Sequence, residues 1–187
     1  MRELSLHILD IMQNSIKAEA THIHLEVNEQ ILENTLTIII EDNGKGMSQE
    51  MCKQVTNPYV TTRTLRKVGL GLPFFKQLCD ECEGQLKIES ELGKGTRIEA
   101  SMRYNHIDRL PLGNIGSTLG TVIMAKPDIY YTYTHIYNSK CFQLDTLQIK
   151  EILEGVPIEN IEVIQWLQCY IEENREQLYT KNEIKKE

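Results

Sequence analysis

Asp10 and Asn14, four residues apart near the start of the chain, offer a carboxylate and an amide oxygen. On a helix, residues at this spacing lie on one face, about one turn apart. Such a pair can hold a magnesium-bound water, since Mg²⁺ takes oxygen ligands, keeps several waters and relies on substrate phosphates for the rest. Lys17, three residues beyond Asn14, would bring a cation to the same phosphates. This stripe predicts a magnesium and phosphate site, with a solvent-facing polar helix surface as the alternative.

A second candidate is the turn Asp-Asn-Gly-Lys-Gly-Met at residues 42–47. It follows a β-branched run at residues 36–41, which is typical of a central strand. A carboxylate at the end of such a strand, here Asp42, can accept a hydrogen bond from an exocyclic amino group, and Gly44 and Gly46 let backbone approach a flat ring. The alternative is a plain strand-end turn, which Asp-Asn-Gly also makes well.

Phosphate-binding features come next along the chain. Gly69, Leu70 and Gly71 open a predicted helix, whose first amides and dipole can receive phosphates, although glycines also open helices without a ligand. Residues 56–68 are predicted to form a mobile lid over a triphosphate, and the alternative is a loop with exposed charges. Its hydroxyls and cations include Thr61, Thr62 and Arg63. The sequence has no glycine-rich run that ends in Gly-Lys-Ser/Thr, and the segment from Gly69 to Gly71 lacks the third glycine of the dinucleotide-binding motif. A nucleotide-binding fold of another kind is therefore needed.

The elements that would position these segments follow from hydrophobic periodicity. Apolar residues repeat at helical spacing over residues 2–18, and residues 22–27 alternate as in a half-buried strand. A helix is predicted over residues 69–83, then a hairpin pair at residues 85–91 and 96–102. The order helix, strand, strand, helix, strand, strand predicts an α/β (α+β) two-layer sandwich, with a mixed β-sheet and helices on one face.

Residues 105–187 are predicted to form a small C-terminal α/β extension to a first domain at residues 1–104. We expect a small-residue helix, a hairpin turning at Asn138 and Ser139, and two further helices. The tyrosines of this hairpin and Trp166 suit either a protein interface or a small packed subdomain.

Composition limits the function classes. The 187 residues favour one domain, or one with an appendage. With 27 acidic and 20 basic residues, the net charge of -7 argues against a broad nucleic-acid or anionic-membrane footprint. We expect a cytoplasmic protein, because there is no signal-peptide layout and no apolar run near the roughly 20 residues that span a bilayer. The five cysteines fit a reducing compartment, and Cys79 and Cys82 are interpreted as small hydrophobic residues rather than a redox or zinc pair.

Taken in order, these motifs resemble the GHKL superfamily, the ATP-binding fold shared by gyrase-type topoisomerases, a heat-shock chaperone, histidine kinases and mismatch-repair ATPases. The resemblance spans residues 3–102. Its segments are residues 10–18 for the N box, 42–47 for the first glycine box, Tyr59 with 61–63 for the lid, and 69–72 with 93–96 for the second glycine box.

The resemblance implies a Bergerat-type sandwich that binds ATP and Mg²⁺. It implies that Asn14 ligates Mg²⁺, that Asp42 binds the adenine amino group with support from Thr96, and that the glycines of the second box seat the phosphates. The nucleotide-binding residues are expected to be Asn14, Lys17, Asp42, Gly44, Gly46, Met47, Thr61, Thr62, Arg63, Gly69, Leu70, Gly71 and Thr96.

One position departs from this pattern. ATP-hydrolysing members place a Glu four residues before the N-box Asn as general base, and here that residue is Asp10. Asp is one methylene shorter, and a general base must come within about 2.6–3.2 Å of its proton, directly or through one water. We therefore expect slow hydrolysis, or transfer of the γ-phosphate to another acceptor. His7 is a weaker candidate for the base, and we expect it to face solvent.

Two functions fit the sequence. One is a small kinase, resembling the anti-sigma-factor serine kinases, or a slow ATPase, with Asp10 as catalytic base. The other is a non-catalytic module in which nucleotide orders residues 56–68 and switches affinity for a protein partner. Since no phosphoacceptor hairpin precedes the N box in these 187 residues, we expect a stand-alone module. Its expected partners are ATP and a protein or phosphoacceptor, with neither nucleic acid nor membrane.

Overall fold

The structure, a computed structural model, describes residues 2–55 and 71–180. Within them the elements follow one another in chain order. They are α1 (Leu4–Lys17), β1 (His22–Gln30), β2 (Thr35–Asp42), α2 (Gln49–Val55), α3 (Gly71–Glu81), β3 (Gln85–Glu91), β4 (Gly95–Arg103), α4 (Ile115–Ala125), β5 (Tyr130–Tyr137), β6 (Lys140–Asp145), α5 (Thr146–Ile152) and α6 (Ile161–Tyr179).

The strands form one mixed sheet in the order β3-β4-β2-β1-β5-β6. Neighbouring strands are antiparallel except β1 and β5, which are parallel. Every second residue of β1 is buried and the residues between are half-exposed, so one face of the sheet lies under the helices. This arrangement confirms the predicted two-layer sandwich, with a mixed sheet and helices on one face.

Helix α1 forms the centre of the helical layer. It contacts both α3 and α4, and its residues Leu4, Ile8 and Ile11 are almost completely buried. This spacing of three and four residues places one apolar stripe on the core, which is the pattern that predicts the helix from sequence. At its start, the backbone N–H of Leu4 donates to the carbonyl of Pro111 at 3.0 Å, so α1 is also tied to the segment before α4.

The C-terminal extension continues the same sheet. Its helix, hairpin and two helices are present as α4, β5 with β6, α5 and α6, and β5 pairs with β1 along its whole length. Helix α4 approaches α6 closely, because a Cβ added to Gly116 would lie 2.5 Å from the carbonyl oxygen of Gln168. A domain boundary after residue 104 stays a prediction.

A buried polar cluster joins α6 to the sheet. Glu29 of β1 is 4% exposed and accepts hydrogen bonds from His135 Nε2 at 2.7 Å and from the hydroxyl of Tyr179. The other ring nitrogen of His135 contacts the hydroxyl of Tyr133 at 2.6 Å. Burial alone would raise the pKa of Glu29, but the hydrogen bonds from His135 and Tyr179 outweigh it, and the pKa lies below its ordinary value.

Two local details complete the fold. Helix α2 occupies a segment for which the sequence analysis predicts no element, and the Ser48 hydroxyl accepts a hydrogen bond from the Met51 N–H at its start. Cys79 and Cys82 are both completely buried at the end of α3, and burial raises the pKa of Cys79 to about 12, consistent with their interpretation as small hydrophobic residues.

Among the described residues, no helix has the length and apolar character needed to cross a bilayer.

Candidate functional site

Four neighbouring strands contribute one residue each to a row across the sheet. The register pairs Ser90 of β3 with Thr96 of β4, Thr96 with Asp42 of β2, and Asp42 with Ile23 of β1. Residues directly opposite each other in a sheet share a face. Because Ile23 is completely buried under the helices, its three polar neighbours also lie on the helix-facing side, at the end of the strands.

The carboxylate of Asp42 is held at both of its oxygens. The Ser15 hydroxyl donates to Oδ2 at 2.6 Å, and the Gly44 N–H donates to Oδ1 at 2.9 Å. Ser15 is 3% exposed in α1, so this contact joins the helical layer to the end of β2. A carboxylate has about four lone-pair positions, so each oxygen of this oriented group can still accept a further donor. An amino group is such a donor.

The loop after β2 passes so close to other backbone that two of its residues must be glycine. A Cβ added to Gly44 would lie 2.7 Å from the carbonyl oxygen of Ala18, which also accepts from the Lys45 N–H at 2.8 Å. Gly46 has a φ of +65°, and a Cβ there would overlap the carbonyl group of Glu91. The loop is therefore fixed between the end of α1 and the β3–β4 turn.

Ser90 connects this loop to β4. Its hydroxyl accepts from the Met47 N–H at 2.8 Å, donates to the Gly95 carbonyl at 2.9 Å and contacts the Thr96 hydroxyl at 2.8 Å. The structure thus brings Met47 and Thr96, two of the predicted nucleotide-binding residues, to the same small region as Asp42, and their role in binding stays a prediction.

Asp10 and Asn14 are half-buried, one turn apart on α1. Asp10 Oδ2 is buried, and it has no hydrogen-bond partner within residues 2–55 and 71–180. This oxygen abuts the first residue of α3, because a Cβ added to Gly71 would overlap it. An ionised oxygen in such a place is costly unless a proton, cation or hydrogen-bond donor reaches it. Asp10 therefore presents a buried acceptor that no described residue satisfies.

The expectation that His7 faces solvent is wrong. The side chain is 4% exposed and stacks on Phe75 of α3, with ring centroids 5.0 Å apart. Burial lowers the pKa of His7. The helical pattern of α1 alone cannot show this, because the covering ring comes from a helix almost 70 residues later in the chain.

The remaining predicted residues fall into two groups. Lys17 is exposed in the last turn of α1, and the described hydrogen bonds and ion pairs do not connect it to Asp42. Thr61, Thr62, Arg63, Gly69 and Leu70 lie outside the described residues, so their roles stay predictions. Within the described part of the chain, no three His, Cys, Asp or Glu side chains are grouped to hold a metal ion. Asn14 with substrate phosphates therefore stays the predicted arrangement for Mg²⁺.

Two serines of this site, Ser15 and Ser90, are not among the residues predicted from the sequence. Ser15 is placed by its spacing among the apolar residues of α1, yet its hydroxyl orients Asp42. Ser90 lies on an edge strand whose alternation gives no sign of a special role. Ser90 could have been predicted from the β3–β4 hairpin. The short turn fixes the register of the two strands, and this register places Ser90 opposite Thr96.

Known proteins resemble the first part of this chain in sequence. The family model described as histidine kinase-, DNA gyrase B-, and HSP90-like ATPase matches residues 2–106. Sporulation kinase C of Bacillus subtilis (strain 168) is 34% identical over 94 residues, which cover 50% of this chain and 22% of that protein. The tetrathionate sensor histidine kinase TtrS of Salmonella typhimurium is 29% identical over 84 residues, covering 45% of this chain and 14% of that protein. The chain thus matches less than a quarter of the length of each relative.

A solved structure extends the comparison to the fold. The crystal structure of the N-terminal domain of a DNA repair protein matches with a TM-score of 0.52 and 16% identity, over 78% of this chain and 53% of that chain. At this identity the likeness concerns the fold alone. The family match, by contrast, covers more than half of the 187 residues and includes α1, the loop after β2 and the strand that carries Thr96. The GHKL resemblance is confirmed, and the chain belongs to the histidine kinase-, DNA gyrase B- and HSP90-like ATPase family.

Proposed function

We propose that this protein binds Mg-ATP and acts as a small kinase or slow ATPase in signalling. The observation that carries the proposal is the Asp42 carboxylate, held by Ser15 and the Gly44 amide on the helix-facing side of the sheet. Membership of an ATPase family and relatives named as kinases support it.

The residues present fit an adenine ring. Asp42 offers acceptor capacity to an exocyclic amino group, and Thr96 lies directly opposite on the neighbouring strand. Gly44 keeps backbone, rather than a side chain, beside the carboxylate. A flat base can approach the backbone at Gly44, and a hydrogen-bond donor on the edge of that base can bond to the acceptor on Asp42.

The residues on α1 fit the phosphate end of the same ligand. Asn14 would hold Mg²⁺, which supplies positive charge to the phosphate oxygens when bound. Asp10, one turn earlier, has a buried oxygen without a partner among residues 2–55 and 71–180, next to the first residue of α3. As general base, Asp10 would take the proton of an attacking water or hydroxyl.

The alternative is a nucleotide-switched binding module that does not turn ATP over. The presence of Asp10, rather than a longer Glu, favours it, because the shorter carboxylate reaches less far toward a phosphate-bound nucleophile. In this alternative, ATP changes the affinity for a protein partner, and Asp10 only supports the fold of the site.

The test follows γ-labelled Mg-ATP with the purified protein, with and without lysate from its own cells. We expect Asp10→Asn to bind Mg-ATP as the wild type does, because the amide has the size of the carboxylate, and to lose label release or transfer. Asp80→Asn, an exposed substitution on α3 that removes an ion pair with Lys76, is the matched control. Label that stays on ATP in every mixture would favour the switch, and a wild type that does not bind Mg-ATP would refute both functions.

A further inference from the structure

We propose that Ser90 is a positioning residue that fixes the Thr96 hydroxyl as a hydrogen-bond acceptor and so makes the site prefer adenine to guanine. This inference rests on the proposed ATP-binding function and assigns its base selectivity to a residue outside the predicted nucleotide-binding set. Ser90 acts through Thr96 and would not itself touch the base.

The Ser90 hydroxyl has a single proton to donate. The Gly95 carbonyl, 2.9 Å away, can only accept, so it takes that proton. The Met47 N–H, 2.8 Å away, can only donate, so it uses one lone pair of Ser90. The contact with the Thr96 hydroxyl at 2.8 Å is then satisfied only if Thr96 donates to the second lone pair of Ser90.

The proton of Thr96 is thereby committed to Ser90. What Thr96 can offer a ligand is its own lone pairs. Asp42, directly opposite Thr96 in the sheet, is also an acceptor at both carboxylate oxygens. Two neighbouring groups at the end of the sheet therefore both accept, and neither has a proton to give.

Adenine and guanine differ at the position that such a pair would read. Adenine carries an amino group, a donor, where guanine carries the O6 carbonyl, an acceptor. Asp42 and Thr96, which both only accept, match the adenine amino group. They do not match the guanine O6, because O6 is also an acceptor and none of the three groups supplies a proton for a hydrogen bond. Without the Ser90 hydroxyl, Thr96 is free to rotate and donate its proton to a ligand, so O6 becomes acceptable.

The experiment measures dissociation constants for Mg-ATP and Mg-GTP by calorimetry on the full chain. The readout is the ratio of the two constants, which a general loss of stability does not change. The variants are Ser90→Ala, Ser90→Cys and Ser90→Thr, and the control is Ser101→Ala, which removes a serine hydroxyl that donates across the same strand pair to Gln85. Ser90→Cys keeps the size of the side chain but has only a weak acceptor, so it tests the inference if the alanine variant does not fold.

We expect the preference for ATP over GTP to fall about tenfold in Ser90→Ala and Ser90→Cys, which is the size of effect expected from one mismatched hydrogen bond at a half-buried group. Ser90→Thr keeps a hydroxyl and should retain the wild-type ratio, as should Ser101→Ala. A wild-type ratio in both the alanine and the cysteine variants, with ATP still bound by the wild type, would overturn the inference alone. A wild type that does not bind ATP would overturn the proposed function and this inference together.

Discussion

Ser15 provides the sharpest test of how the site is oriented. Ser15→Ala removes the hydroxyl that donates to Asp42 Oδ2 at 2.6 Å and leaves the Gly44 N–H on the other oxygen. The carboxylate keeps its charge but loses the contact that fixes its rotation toward the helical layer. The expected result is weaker recognition of an amino group by Asp42, with the rest of the ligand bound as before.

The size of the effect follows from the type of bond. A hydrogen bond to a charged group contributes about 1.5–3 kcal/mol to stability or binding. Asp42 is half-buried, so water replaces part of the lost contact and the lower end of this range applies. A loss of about 1.5 kcal/mol corresponds to roughly a tenfold higher dissociation constant.

The assay compares Mg-ATP with the magnesium complex of purine riboside triphosphate, which lacks the amino group. Calorimetry should show about a tenfold weaker affinity of Ser15→Ala for ATP and almost none of that loss for the analogue. Ser5→Ala is the matched control, because Ser5 is a buried serine on the same helix, 2% exposed, that bonds Glu3 instead. A Ser15→Ala variant that binds ATP like the wild type, or that loses the same factor in affinity for both ligands, would refute the proposed role of Ser15.

Three further outcomes are expected. Tyr179→Phe should lower the free energy of unfolding by about 1.5–3 kcal/mol, because the buried carboxylate of Glu29 loses a donor, and acid unfolding should begin at a higher pH. Gly46→Ala should destabilise more than Gly93→Ala, since both positions have positive φ but only the Cβ at Gly46 overlaps neighbouring backbone. His7→Gln should reduce the loss of stability between neutral pH and pH near 5, because burial lowers the pKa of His7 below 6.5.

Acidification destabilises the fold through both groups, but in different pH ranges. Glu29 has a lowered pKa, so its contribution is present above about pH 4.5 and is lost as pH falls through its folded pKa. His7 also has a lowered pKa, so the unfolded chain binds more protons below pH 6.5 and acidification there favours unfolding. His24 has a lowered pKa as well. The free energy of unfolding of His7→Gln should therefore depend less on pH than that of the wild type, without becoming independent of pH.

Denaturant unfolding at neutral pH measures the changes in the tyrosine and glycine variants, and the same measurement repeated at a series of pH values down to pH near 5 measures the change in His7→Gln; an unchanged pH dependence in His7→Gln would contradict that prediction. Tyr137→Phe is the control for Tyr179→Phe, because the two rings pack edge to face and the Tyr137 hydroxyl makes no hydrogen bond to the part of the chain that the structure describes. Equal losses in these two variants would contradict the proposed importance of the bond to Glu29. Equal losses in Gly46→Ala and Gly93→Ala would show that backbone strain alone, without steric overlap, decides the cost.

Local patterns carry much of the fold. The apolar stripe of α1, the alternation of β1 and the turn at Asn138 each depend on residues close together in sequence, and each predicts its element. The contacts that complete the site are of another kind. Ser15 meets Asp42 across 27 residues, and His7 is covered by a ring from α3. Periodicity gives the face of an element but not the partner that covers it, so these contacts become visible only in the folded structure.

The position of β1 in the sheet has a consequence for how the chain is made. One edge of β1 pairs with β2, and the other pairs with β5, so that His22 lies opposite Tyr130. During synthesis the first four strands are complete well before β5 leaves the ribosome. In that interval β1 has a row of unpaired N–H and C=O groups, which can template pairing with another nascent chain. The C-terminal hairpin therefore also covers an edge of the four-stranded part of the sheet that would otherwise be open to pairing with another chain.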